Sequence, residues 1–77
     1  MSDDPRPILV TGASGFLGGA VVGELLKHGQ RIRALIRRPH ARLESSGIEV
    51  FLADLSDPDL TQKACRGCRA VIHTAAR

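Results

Sequence analysis

Three glycines spaced by three residues, Gly12, Gly15 and Gly18, follow the apolar residues 8–10 and precede a stretch with helical periodicity. The first glycine can adopt the positive φ that a sharp turn from strand to helix requires. The second lets backbone N–H groups approach a phosphate, and the third lets the helix lie close to the strand. Since a helix N-terminus carries unpaired N–H groups and partial positive charge, this spacing predicts a site for the pyrophosphate of a dinucleotide.

Residues around the second glycine complete the predicted anion site. The backbone N–H groups at Gly15, Phe16 and Leu17 are expected to face the phosphates, and the Ser14 hydroxyl can donate one more hydrogen bond. Glycines also mark ordinary turns, so the alternative is a glycine-rich turn that binds no ligand. The apolar strand before the turn and the long helix after it favour the phosphate site.

The composition indicates one small globular domain with an aliphatic core. The chain has 77 residues, of which 43% are hydrophobic, 25% charged and only 3% aromatic. A chain of this length buries about 60% of the surface that its unfolded state exposes. It has no apolar run of the roughly 20 residues that cross a bilayer, and its acidic, proline-containing start is unlike a secretory signal. We therefore expect a cytoplasmic protein that does not contact a membrane.

Arginines between residues 31 and 42 account for much of the net charge of +3. Such a cluster can bind nucleic acid, but neither an aromatic stacking platform nor a known nucleic-acid motif accompanies it in the sequence. We therefore expect no nucleic-acid partner.

Strands and helices are predicted to alternate along the chain. The predicted strands cover residues 7–11, 31–36, 48–53 and 70–73, the predicted helices cover about 15–28 and 58–65, and residues 38–46 form either a short helix or an open loop. Ser56 or Asp57 before Pro58 signals a helix start. Gly29 and Gly67 signal helix ends.

This alternation predicts an α/β fold, the N-terminal half of a doubly wound parallel sheet with strand order 3-2-1-4. The fourth strand is then an exposed edge, which suggests the N-terminal piece of a longer protein. Residues 1–6 are predicted to be a disordered lead-in, and residues 7–77 a partial nucleotide-binding domain.

The apolar face of the first long helix is predicted from its spacing. Leu17, Val21 and Leu25 recur at four-residue intervals, with Val22 and Leu26 alongside. This face is expected to pack on the sheet.

Residues 11–18 resemble the T-G-x-x-G-x-x-G fingerprint of the extended short-chain dehydrogenases/reductases, the NAD-dependent epimerase/dehydratase family. Residues 35–39 resemble the end of the second strand in its dihydroflavonol-reductase-like branch. Residues 53–55 resemble an Asp-Leu pair that flanks the adenine, and residues 67–76 resemble a G-C-x-x-V-x-H-x-A-A ending of the fourth strand. The resemblance covers nearly the whole chain and implies a Rossmann fold with an NAD(P) cofactor.

Two arginines after the second strand bear on which dinucleotide is preferred. An acidic residue at this point favours NAD through the ribose 2′-hydroxyl, whereas an arginine favours NADP through the 2′-phosphate. The chain has Arg37 and Arg38 here and no nearby acid, so NADP is expected in preference to NAD. The alternative is that both arginines belong to a solvated loop.

The resemblance also implies contacts at the ends of the third and fourth strands. Asp54 can accept from the adenine amino group while Leu55 packs on the ring. Asp54 can equally cap the turn that follows, and the two roles are compatible. Thr74, Ala75 and Ala76 are small residues that let the backbone lie against the cofactor ribose.

Catalysis in the family uses a Tyr-x-x-x-Lys pair for hydride transfer, and this chain has no tyrosine. No catalytic residue is therefore predicted. We expect the NAD(P)-binding portion of an oxidoreductase or epimerase/dehydratase that is not catalytic by itself. The alternatives are a non-catalytic NADP-sensing regulatory protein of the same fold and a non-functional truncated product.

Cys65 and Cys68 form a C-x-x-C pair at the end of a predicted helix. Redox motifs place such a pair at a helix N-terminus, because the helix dipole there stabilises a thiolate. A zinc site needs four ligands, and only His73 is close in sequence. We therefore expect no metal, packing roles for both cysteines, and a structural role for His73 at a strand end.

Overall fold

The computed structural model describes residues 4–45, 47–54 and 56–74, and within them strands and helices alternate. The elements are β1 (Ile8–Thr11), α1 (Phe16–Lys27), β2 (Ile32–Ile36), α2 (Ala41–Ser45), β3 (Glu49–Leu52), α3 (Pro58–Cys65) and β4 (Ala70–His73). A short helix and an open loop were both predicted for residues 38–46, and the structure has the short helix, over residues 41–45. None of the helices in this part of the chain is long and apolar enough to cross a membrane.

The four strands form one parallel sheet with the order β3-β2-β1-β4, as the alternation predicted. In the centre, Val10 of β1 lies opposite Ala34 of β2 on one side and Ile72 of β4 on the other. Among the described residues, β4 pairs with β1 alone and is therefore an edge strand.

The sheet is covered on both faces, which explains the unbroken apolar run of β1. Successive side chains of a strand point to opposite faces. Ile8 and Val10 pack on one face with Val22 of α1 and Leu43 of α2. Leu9 lies on the other face and packs with α3. Every residue of β1 is at most 5% exposed, because a central parallel strand contacts helices on both sides.

The buried face of α1 differs from the predicted one. Val22 is buried, and Val21 and Leu25 pack partly against the core, but Leu17 is 59% exposed and Leu26 is 42% exposed. A helix advances about 100° per residue, so Leu17 lies about 140° around the axis from Val22. The predicted face was therefore wrong about Leu17, which lies off the centre of the buried face, and about Leu26, which lies in the last turn of α1.

Local signals fix both ends of α3. The Asp57 carboxylate accepts from the backbone N–H groups of Asp59 and Leu60, each at 3.1 Å, and Pro58 occupies the first turn. At the other end Gly67 has a φ of 75°, in the region that favours glycine. The cap, the proline and the terminating glycine all match the predicted helix.

Arg33 of β2 connects the end of α3 to the sheet. Its guanidinium donates to the carbonyl oxygens of Ala64 and Arg66, each at 2.6 Å, and its Nε lies 3.0 Å from the Glu49 carboxylate. A cation at a helix C-terminus offsets the negative end of the helix dipole. The charge of Arg33 is therefore balanced by the Glu49 carboxylate and by the end of α3, although its buried Nε–H makes no hydrogen bond within the described residues.

Residues 4–6 make contacts with each other and with the sheet. Arg6 donates to the Asp4 carboxylate at 2.7 Å, and this hydrogen bond lowers the pKa of Asp4 to about 2. Arg31 donates to the Pro5 carbonyl oxygen at 3.0 Å. Residues 1–3 lie outside the described residues, and the disordered lead-in over residues 1–6 stays a prediction.

Replacing Asp57 with alanine is expected to lower the free energy of unfolding by about 1 kcal/mol, because two N–H groups of α3 lose their acceptor. Asp57→Asn is the matched control, since asparagine caps helices about as well as aspartate. Urea denaturation followed by circular dichroism measures both variants. Equal stability of the two variants would contradict the cap assignment.

Candidate functional site

A cleft of about 1010 Å³ lies where the carboxyl ends of the four strands meet. In open parallel α/β sheets this end of the strands is where ligands bind. The cleft borders the residues that follow β1, β2, β3 and β4, and every predicted cofactor-binding residue that the structure describes contributes to its lining. Sequence positions more than 60 residues apart are therefore brought to one site.

The glycine turn forms one wall of the cleft. Gly12 has a φ of 67°, as predicted for the first glycine. The N–H group of Gly15 donates to the Gly12 carbonyl oxygen at 3.0 Å, so this donor, which was expected to face the anion, is used by the turn. The free donors therefore begin at Phe16, the first residue of α1. Ser14 is exposed at the cleft, and its hydrogen bond to a phosphate stays a prediction.

The N-terminus of α1 is open to the cleft. Gly15 is its N-cap and has no side chain that could accept from the first turn. The N–H groups of Phe16, Leu17 and Gly18 have no acceptor within the helix, as at any helix N-terminus. The first turn contains no acidic residue. Unpaired donors and the positive end of the helix dipole thus meet the cleft where an anion can bind.

Gly18 is required by the close approach of α1 to the turn. A Cβ atom at this position would lie 2.0 Å from the Gly12 carbonyl oxygen and 2.8 Å from the Cα of Ala13. Both neighbours are backbone atoms, which cannot move aside as a flexible side chain can. A Cβ at Gly15 would meet the same Gly12 oxygen at an ordinary 3.4 Å, so the steric demand falls on Gly18.

The opposite wall follows β2 and β3. Arg37 and Arg38 come directly after β2, are exposed, and line the cleft. The buried Leu35, Ile36 and Ala53 also line the cleft as an apolar floor, and none of the three was predicted from the sequence as a site residue. The rule that ligands bind at the carboxyl ends of parallel strands would have found them.

Asp54 serves as the cap of the turn after β3. Its carboxylate accepts from the backbone N–H of Ser56 at 2.9 Å. This hydrogen bond, a second one from the Ser56 side chain and the positive charge of Arg37 lower the pKa of Asp54. The turn-capping role is therefore present, and the ionised carboxylate also borders the cleft. Its predicted contact with adenine stays a prediction.

Thr11 fastens β1 to β4 directly below the cleft. Its hydroxyl oxygen accepts from the Thr74 N–H at 3.2 Å and lies 2.7 Å from Nδ1 of His73. The Thr74 hydroxyl donates in turn to the Thr11 carbonyl oxygen. A hydroxyl has one proton and two lone pairs, so the Thr11 side chain can bond to the Thr74 N–H and the His73 ring at the same time. His73 thus has the structural role predicted for it.

Three predicted cofactor-binding residues, Leu55, Ala75 and Ala76, lie outside the described residues. Thr74 marks the cleft at the end of β4. Within residues 4–45, 47–54 and 56–74, no group of three or more His, Cys, Asp or Glu side chains is arranged to hold a metal ion.

Comparisons with known proteins agree with this geometry. A profile of the NAD dependent epimerase/dehydratase family matches residues 8–77. A dihydroflavonol 4-reductase from Hordeum vulgare is 36% identical in an alignment 85 positions long, gaps included, that covers 97% of this chain and 24% of that protein. A 2-alkyl-3-oxoalkanoate reductase from Shewanella oneidensis is 35% identical over 68 residues, which cover 88% of this chain and 18% of that protein. The chain thus spans about a fifth of the length of these curated relatives.

Solved structures share the same architecture. A short-chain dehydrogenase/reductase superfamily protein from Agrobacterium tumefaciens, crystallised with bound NAD, superposes with a TM-score of 0.78 at 35% identity. The superposition covers 94% of this chain and 21% of that one. The half Rossmann fold inferred from the sequence is therefore confirmed.

Gly18→Ala is expected to lower the free energy of unfolding by about 1–3 kcal/mol, because the backbone of the turn must move away from the new methyl group. Gly19→Ala is the matched control. Its Cβ would meet the Ala13 carbonyl oxygen at an ordinary 3.8 Å, and alanine favours the helix. Urea denaturation compares the two. Equal stability of the two variants would contradict the steric constraint at Gly18.

The Asp54 carboxyl is expected to titrate below the usual aspartate range, and carbon-detected NMR of the side-chain carboxyls measures this. The pKa of Asp54 is lower in the folded chain than in the unfolded chain. The Ser56 interaction therefore stabilises the folded chain fully at a pH above the unfolded-state pKa, and this contribution disappears as the pH falls through the folded-state pKa. Ser56→Ala keeps the backbone donor and should raise the pKa only in part. An unshifted midpoint in the wild-type chain would contradict the assignment.

Proposed function

Because the chain belongs to the NAD dependent epimerase/dehydratase family, we propose that its cleft binds a nicotinamide adenine dinucleotide. One observation carries the proposal: the N-terminus of α1 lacks a side-chain cap and opens onto a cleft that spans the ends of all four strands. The pyrophosphate lies against the N–H groups of Phe16, Leu17 and Gly18, where unpaired donors and the helix dipole favour an anion. The NAD in the Agrobacterium tumefaciens protein supports this assignment.

The adenosine half of the dinucleotide extends across the ends of β2 and β3. Ile36 and Ala53 offer an apolar surface on which a planar ring can lie. Asp54 is ionised beside this surface, and its carboxylate can accept from an exocyclic amino group in addition to its hydrogen bonds from Ser56. Leu55 supplies a further apolar contact in this proposal, and Thr74 with Ala75 and Ala76 lies along the ribose of the other half.

NADP is the preferred dinucleotide in this proposal. Arg37 and Arg38 lie at the cleft where the 2′ position of the adenosine ribose would be recognised, and residues 35–39 contain no acidic side chain. A guanidinium can donate two parallel hydrogen bonds to a phosphate, whereas NAD offers only a hydroxyl there. The family name and the bound NAD in the solved relative leave this preference to experiment.

The chain contributes cofactor binding rather than the whole reaction. A bound nicotinamide supplies hydride transfer. The chain has no tyrosine to act as the general acid or base of the family, so no catalytic role is assigned to its residues. We propose that it is the cofactor-binding portion of an oxidoreductase of the reductase-like branch, which the two reductases among its relatives support.

Titration with NADPH and, separately, NADH tests the site. The chain has no tryptophan or tyrosine, so the emission of the reduced nicotinamide can be followed directly. We expect saturable binding that is tighter for NADPH. Arg37→Ala and Arg38→Ala should each weaken NADPH binding about tenfold, which is the loss of one charge-assisted hydrogen-bonded contact, and should change NADH binding little.

Lys63→Ala is the matched control for net charge, because Lys63 is exposed in the last turn of α3, away from the cleft. Its affinity for NADPH should equal that of the wild-type chain. Tighter binding of NADH than of NADPH would refute the NADP assignment alone. Absence of binding of either dinucleotide at millimolar concentration would refute the proposed function of this chain.

A further inference from the structure

Cys65 and Cys68 lie at the two ends of the tight turn that joins α3 to β4. The Cys68 N–H donates to the Cys65 carbonyl oxygen at 3.1 Å. Arg66 has φ −63° and ψ 131°, and Gly67 has φ 75°. These angles and the hydrogen bond define a type II β-turn, in which the first and fourth Cα atoms lie within about 7 Å. A disulfide joins Cα atoms about 4.4–6.8 Å apart.

Both side chains contact the same part of the core. Cys65 and Cys68 are half-buried and pack against one apolar cluster, which includes Leu9, Leu35 and Ala64. Both are free thiols, and the Cys68 Sγ lies 3.5 Å from the Ala64 carbonyl oxygen as a weak donor. The turn thus places the two Cα atoms within about 7 Å, and both side chains pack against the same cluster.

We infer that Cys65 and Cys68 form a modification site, a reversible disulfide that closes the α3–β4 turn in the presence of a disulfide oxidant such as glutathione disulfide. We expect the oxidation to proceed by rotation of the two side chains, with the hydrogen-bonded backbone of the turn retained. The Ala64 carbonyl oxygen loses the Cys68 donor but keeps the Arg33 guanidinium at 2.6 Å, so no buried acceptor is left unpaired.

The reaction proceeds by two exchanges. One cysteine thiolate attacks a sulfur of glutathione disulfide and releases one glutathione thiolate, which leaves a mixed disulfide on the protein. The second cysteine thiolate attacks the protein sulfur of that mixed disulfide and releases the second glutathione. The protons of the two cysteines end on the two glutathione thiols, and the two electrons reduce the glutathione disulfide.

The electrostatics make this a slow site rather than a catalytic redox motif. Burial raises the pKa of Cys68, and the neighbouring Cys65 and Glu49 act in the same direction, whereas the Arg33 cation opposes them. The pair also follows α3, where the helix dipole disfavours a thiolate. Exchange should therefore accelerate as the pH rises, because the thiolate is the nucleophile.

The turn lies at the opposite end of the sheet from the dinucleotide cleft. The Arg69 N–H, directly after the turn, donates to the carbonyl oxygen of Pro7, which precedes β1. Closing the disulfide should therefore raise thermal stability and leave dinucleotide affinity unchanged. The inference stands independently of the proposed cofactor.

The 77-residue chain is incubated in defined mixtures of reduced and oxidised glutathione, then treated with N-ethylmaleimide and weighed by mass spectrometry. With only two cysteines in the chain, a product two hydrogens lighter that takes up no maleimide is the Cys65–Cys68 disulfide. We expect it to form at least tenfold more readily in the folded chain than in urea. We also expect it to raise the melting temperature by roughly 5–10 °C. In the Cys65→Ser and Cys68→Ser variants, the reaction should end at the mixed disulfide between the remaining cysteine and glutathione.

Gly67→Ala and Arg66→Ala provide the matched pair for the turn. Gly67→Ala places an L side chain at a φ of 75°. In this variant the disulfide should form less readily in the folded chain relative to the chain in urea, whereas Arg66→Ala should keep the wild-type ratio. Circular dichroism shows whether each variant is folded. A folded wild-type chain that yields only mixed disulfides or intermolecular dimers would overturn the inference. The inference would equally be overturned if the disulfide formed no more readily in the folded chain than in urea, or if its formation lowered the melting temperature.

Discussion

The close contact between α1 and the turn at Gly12 is the constraint on which the site depends. The absence of a side chain at Gly18 lets the helix start against the backbone of Gly12 and Ala13. That position aims the first turn of α1 at the carboxyl ends of the strands and leaves its N–H groups free. A helix displaced by even one methyl group would move these donors relative to the floor formed by β2 and β3. Steric closeness at one residue therefore sets the electrostatics of the cleft.

The central strand provides the rigidity that this contact requires. β1 is buried on both faces and has a strand on each side, so it cannot shift without disturbing α1, α3 and both neighbours. Its last residue, Thr11, uses its hydroxyl and its carbonyl oxygen to hold His73 and Thr74 of the adjacent chain segment. The glycine turn thus begins from a fixed point, and the end of β4 is held at the same level.

Features carried by neighbouring residues could be predicted from the sequence, and features carried by distant pairs could not. The Asp57-Pro58 start of α3, the glycine ends of the helices and the strand order follow from local chemistry and from the alternation of elements. The hydrogen bond between Thr11 and His73 joins residues 62 apart in sequence, so no local pattern contains it. Leu17 was predicted wrongly for a different reason. Residues four apart are offset by about 40° around the helix, so a run of such residues does not locate the centre of the buried face.

The polar groups at the two ends of the sheet differ in what they contact. At the carboxyl ends lie glycines, exposed arginines and an ionised aspartate, groups that leave hydrogen-bonding capacity for a ligand. At the amino ends the polar groups are used internally: Arg33 donates to two carbonyl oxygens of the α3–β4 region and faces Glu49, and Arg69 donates to Pro7 through its backbone and to Gln30 through its side chain. Charge at the amino ends therefore contacts the protein itself, and charge at the carboxyl ends is exposed at the cleft. The same asymmetry means that Arg37 and Arg38 can be replaced without disturbing the core beneath them.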